Sequence, residues 1–206
     1  MPVTNLAARL PDIETVRGWS QSLALLDAIL SPEWQLRRFS FDADWAPDEE
    51  VASLRNGSGD EYSITFAPAG AYVRGFDHES EMSPYGHSPI AAWPGVVDEV
   101  PAEFAEFVAE PAFCDDGLPR VTLCLWRRRD DINWRHGSVT FPAGADPDGA
   151  DWLLEQLDGR PETYRSFALE NYATKIDPAA ISHIYRHEPV SDGVLAALNP
   201  QLSLSD

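Results

Sequence analysis

Lysine is nearly absent from this chain of 206 residues: Lys175 is the only one, beside 14 arginines. Cysteine and methionine occur twice each. No apolar run approaches the length of a bilayer span, and the first ten residues lack the basic stretch and apolar core of a secretion signal. The expected compartment is therefore the cytoplasm. Two cysteines provide no disulfide framework. Cys124 lies in an apolar run and reads as a small core hydrophobe. Cys114 precedes Asp115 and Asp116, whose charges raise a thiol pKa, so neither is expected to act as a nucleophile. There is no Walker loop, no G-x-G-x-x-G, no zinc ribbon and no G-x-S-x-G elbow.

The formal charge is −19. Arginine in place of lysine suits a GC-rich genome or a salt-adapted proteome, and acidity then means solubility alone. The functional alternative is a cationic protein partner steered in by the field. Nucleic acid and anionic membranes are disfavoured, because like charge repels both. With 44% hydrophobic residues and seven tryptophans the chain is expected to fold. Its length suits one domain over 1–206, with a weak sub-boundary near 143–149.

The pattern along the chain predicts a single α+β domain. Ile13, Val16, Trp19, Leu23, Leu26 and Leu30 recur at helical steps over Asp12–Leu30; Asp12 is placed as the N-cap and Pro32 stops continuation. Trp34–Phe41 reads as a strand and Pro47–Leu54 as a short helix. Alternation over Tyr62–Phe66, a turn, and Ala71–Phe76 predict a β-hairpin over about 61–76. Residues 77–95 read as a long, ordered loop, and Pro101 opens a helix carrying Phe104 and Phe107. Residues 120–126 are apolar on both faces and predict a central strand, with an antiparallel return over about 134–141. The last third is expected to be helical over 150–157, 161–172, 178–187 and 192–198, with prolines in first turns and Asp177 and Ser191 as caps.

Gly75-Phe76-Asp77-His78-Glu79-Ser80 ends the hairpin on an acid, an imidazole, an acid and a hydroxyl. Asp77 and Glu79 share one side of an extended chain, His78 the other. Two carboxylates on one side can hold a divalent cation or act as acid and base. The plainer alternative is a polar loop whose carboxylates accept backbone N–H bonds. Ser80 has no expected base or oxyanion hole. Trp93, Arg127 and His136 are further candidates for a shared site, Arg127 within a run of three arginines able to clamp an anion. His183 and His187, four apart on an expected helix, are weak metal candidates beside Asp77, His78 and Glu79, although Ile184 stands where a metalloprotease motif needs glutamate. No cofactor is expected, a divalent metal being the alternative.

Phe76-Asp77-His78-Glu79-Ser80-Glu81-Met82-Ser83-Pro84, then Trp93-Pro94-Gly95 and Trp126-Arg127, resemble a family of bacterial proteins with no assigned activity, over about residues 60–137. In acidity, α+β content and aromatic richness the chain is also similar in character to SMI1/KNR4-like immunity proteins, without shared motif residues. The expectation is a non-enzymatic protein-binding module of immunity-like character. A small metal-dependent hydrolase or ligand-binding protein using Asp77-His78-Glu79 is the alternative, and a purely structural role for that cluster a third.

Overall fold

A computed structural model describes residues 1–203. Its frame is a five-stranded antiparallel sheet in the order β1 (Phe39–Ala46), β2 (Glu49–Arg55), β3 (Glu61–Ala67), β4 (Gly70–Phe76) and β7 (Leu123–Arg128). A two-residue ribbon, β5 (Cys114–Asp115) with β6 (Leu118–Pro119), stands apart from it. Among the described residues seven α-helices accompany the strands: α1 (Val3–Ala7), α2 (Ile13–Leu30), α3 (Ala105–Val108), α4 (Ala150–Leu153), α5 (Pro161–Tyr172), α6 (Pro178–Tyr185) and α7 (Asp192–Leu198). The α+β architecture follows. No helix among the described residues is long and apolar enough to cross a membrane.

Strand alternation divides the side chains between two layers. Phe39, Ala52, Leu54, Tyr62, Ile64, Ala71, Val73, Leu123 and Leu125 face α2 and the C-terminal helices in one apolar core. Full burial of Leu23 and Leu26 on α2 stabilises by about 2 kcal/mol each. On the opposite face Tyr72, Cys124 and Trp126 are covered by Met82, Val96, Phe104, Phe107 and Val121 from the segment between β4 and β7. On the outer face of β1 and β2 Ser40 and Ser53 are half-buried and Asp42 is exposed, while Val51 is buried and Phe113 of the covering segment stacks on Trp45.

Local chemistry explains most boundaries. The Thr15 amide donates to Asp12 Oδ1 at 2.9 Å, which caps α2, and the Ala179 amide donates to Asp177 Oδ1 at 2.9 Å, which caps α6. Deep in the helical layer, Asp27 accepts from the Arg38 and Phe39 amides and the Tyr164 and Tyr172 hydroxyls, fixing the entry to β1 against α2 and α5.

Three expectations need correction or refinement. Pro47–Leu54 is not a helix: Pro47-Asp48 is a two-residue turn, with Asp48 at φ 62, and Glu49–Arg55 is a strand. Proline first and positive φ second match a type II turn, and the acids that mimic a helix start flank it. Trp34–Leu36 forms a 3-10 turn, so the expected strand at Trp34 begins only at Phe39. The strand foreseen over 120–126 occupies the end of the sheet order, and the antiparallel return pairs with it only at Trp126–Arg135. Beyond that bridge the chain leaves the sheet to meet the Trp93–Gly95 loop. A Cβ on Gly137 would sit 1.9 Å from the Gly95 carbonyl oxygen, a backbone approach only glycine permits.

Candidate functional site

The end of β4 delivers Asp77 to a seam between the sheet and the 146–152 turn. The Asp77 amide donates to Thr122 Oγ1 at 3.1 Å, and the Thr122 hydroxyl donates to the Asp148 carbonyl at 2.8 Å. Asp77 Oδ1 accepts from the Glu79 amide at 3.0 Å, and Oδ2 accepts from the Trp152 indole at 3.0 Å. Ser80 Oγ donates to the Pro147 carbonyl at 2.6 Å and accepts from the Met82 amide at 2.9 Å. These polar groups tie the covering segment to α4.

The chain turns after β4, the Ser80 amide donating to the Asp77 carbonyl at 3.2 Å, so the extended alternation expected over 77–79 is not kept, and His78 finds a partner not foreseen. Asp60, buried at the start of β3, accepts from the His78 amide at 2.8 Å and lies 2.6 Å from Nδ1. The hydrogen bond to Asp60 holds the His78 imidazolium above its usual pKa. Burial works against the Asp60 charge, but bonds from His78 and Asn56 outweigh it and hold that carboxyl below its usual range. Asp60, Asp77 and His78 each bring one ligand atom within 4.8 Å of the others, a set able to approach a divalent cation. A bound ion would have to displace the proton between Asp60 and His78. Glu79 is exposed and contributes no such atom.

The other candidates do not join this group. Trp93 donates to the Thr140 carbonyl at 2.9 Å. Arg127 donates to the carbonyls of Asp131 at 3.1 Å and Pro11 at 3.0 Å, toward the far end of β7. His136 Nδ1 lies 2.8 Å from the Gly137 carbonyl. The expected histidine pair separates, because α6 ends at Tyr185 and His187 takes a left-handed φ of 52. His183 pairs with Glu188 at 2.9 Å, while His187 lies over Gly18. Burial pushes the Cys124 thiol up to about 12 and raises Cys114 as well.

A cleft of about 1080 Å³ opens where the β1–β2 tip meets the start of α2. Glu14, Asp44, Asp48, Glu49 and Glu50 line it, with Trp45 on its rim and Arg17 and Arg129 within it. Both arginines are already paired: Arg17 grips the Glu50 carboxylate, with Nη2 to Oε1 at 2.5 Å, and Arg129 lies 3.3 Å from Glu14. Among the described residues no cation pairs with Asp44, Asp48 or Glu49. Burial, then the charges of Glu106 and Glu110 outside the cleft, raise the Glu49 pKa. Four of these acids lie within residues 44–50, where the sequence reads as a helix start, and only Glu14 is added when the hairpin folds against α2. Comparison with protein-family models, curated proteins and solved structures finds no match to this chain.

Proposed function

We propose that the chain is a binding module rather than an enzyme, and that a cationic protein segment seats in the acidic cleft at the β1–β2 tip. The observation that carries this reading is the imbalance of charge in the cleft: five carboxylates against two arginines, each arginine already bound to one of those carboxylates. A guanidinium or ammonium entering there meets Asp44, Asp48 and Glu49 and relieves their mutual repulsion. Trp45 offers a ring for an arriving arginine to cover. The immunity-like character suggested by composition is consistent with such a partner, since charge complementarity sets the rate and choice of association.

The polar groups at 77–80 support the structural role over hydrolysis. Asp77 and Ser80 spend their polar atoms on Trp152, Pro147 and nearby backbone, and His78 spends its ring on Asp60. The test is calorimetric titration of the whole chain with an oligoarginine peptide at low and at physiological salt. Saturable binding that weakens steeply with salt supports the cleft. Absence of binding at low salt contradicts it.

A further inference from the structure

Across the outer face of β1 and β2 the register aligns small polar residues. Ser40 stands opposite Ser53, and Ser53 opposite Ser63. The Ser40 and Ser53 hydroxyls are 2.7 Å apart. Side chains this short leave a trough of about 460 Å³, the volume class of a small-ligand pocket. Its walls are aromatic. Trp34 is 64% exposed and Trp45 37%, a display of ring surface that folding does not need. Trp45 stacks on Phe113 with centroids 5.9 Å apart and planes 9° from parallel. The Arg74 guanidinium lies 4.3 Å from the Phe113 centroid, so this wall is held before any ligand arrives.

The charge of the trough is opposite to that of the molecule. Arg37, Arg38 and Arg55 line it against Asp42 alone, in a chain of formal charge −19. Arg37 is committed to the Ser31 and Pro32 carbonyls and lies over Trp34. Arg55 forms a long ion pair with Glu61 at 3.8 Å and keeps its side chain 65% exposed. Ring walls, hydroxyls on the floor and an exposed guanidinium at the rim match a ligand with a planar ring, sugar hydroxyls and a phosphate. The basic island is small and surrounded by acid, so it suits a single phosphate and repels a polymer of them.

We propose that the trough binds a nucleoside monophosphate, its base on the tryptophan walls, its sugar over Ser40 and Ser53, and its phosphate on Arg55. The trough shares Trp45 with the acidic cleft but is otherwise lined by different residues, and its occupant does not depend on the function proposed there.

Isothermal titration of the whole chain with AMP, GMP and UMP tests this, beside adenosine, inorganic phosphate and a thymidine octanucleotide. At least one nucleotide is expected to bind, with adenosine and phosphate each at least about tenfold weaker. Trp34→Ala and Arg55→Gln, both at exposed positions, should each weaken that binding about tenfold with an unchanged melting temperature. No heat from any nucleotide at millimolar concentration overturns the proposal. So does undiminished binding in the double variant, or tighter binding of the octanucleotide than of any mononucleotide.

Discussion

The Trp152 indole donates to Asp77 Oδ2 at 3.0 Å, joining the end of β4 to α4 across 75 positions of sequence. Gly149 makes that contact reachable: it holds φ at 76, and a Cβ there would lie 2.6 Å from Asp77 Oδ2. Asp77, a candidate site residue in sequence, thus also joins two layers of the fold. Asp77→Ala should lower stability by about 1–3 kcal/mol through the loss of its carboxylate bonds. Urea unfolding measures this. Zinc, manganese and calcium should leave the melting temperature of the native chain unchanged, whereas a ligand of the native state would raise it.

The Asp60–His78 pair imposes a pH window. The folded pKa of His78 is raised, so its contribution is complete below the usual imidazole value and is lost as pH rises through the raised one. The folded pKa of Asp60 is lowered, so its contribution is present above the usual carboxylate value and is lost as pH falls through the lowered one. The pair therefore contributes most between about pH 4 and 6.5. Melting curves of His78→Ala against the native chain should differ most inside that window and converge at alkaline pH.

Asp148 gives a slope opposite in sign to that of Asp60. Burial pushes its carboxyl up to about 6, although it accepts from the Val3 and Ala150 amides. The folded chain keeps a proton that the unfolded chain releases, so stability from this residue falls as pH rises from about 4 to 6, by about 3 kcal/mol in total. Asp148→Asn cannot ionise and should lose that slope in chemical denaturation followed across pH.

Asp27 carries four hydrogen bonds inside the helical layer. Asp27→Ala leaves two amides and two hydroxyls without an acceptor and should cost more than about 3 kcal/mol. Conservative removal of one donor, Tyr172→Phe, should cost only about 1 kcal/mol. Equal losses in denaturant titrations would show that the carboxylate is not the organising group.

Where periodicity and capping act together, the fold is legible in sequence. Asp12 and the apolar steps to Leu30 place α2, and the alternation of Tyr62, Ile64 and Phe66 places the β3–β4 hairpin. Pro47 with Asp48 and Glu49 misleads, because a proline followed by acids suits a helix start and a type II turn alike. Of the site, Asp77 and His78 stand out by composition, but Asp60 hides in the Asn56–Gly59 turn and is recruited only by β3–β4 register. The acidic run over 44–50 is visible in sequence but reads as a helix start, and folding against α2 adds Glu14 to it; the arginine-lined trough draws on residues 34–57 and is completed by Phe113 from far along the chain.

The seat of a cationic partner is tested most directly by reversing charge inside the cleft and outside it. Asp44→Lys/Glu49→Lys alters the cleft, and Glu79→Lys/Glu81→Lys alters net charge equally at exposed positions away from it. Oligoarginine affinity at physiological salt, measured by fluorescence anisotropy on variants with confirmed native melting, should fall at least about tenfold for the first pair and about twofold for the second. Equal losses in the two variants would mean that the partner responds to net charge alone and would contradict a defined acidic binding cleft.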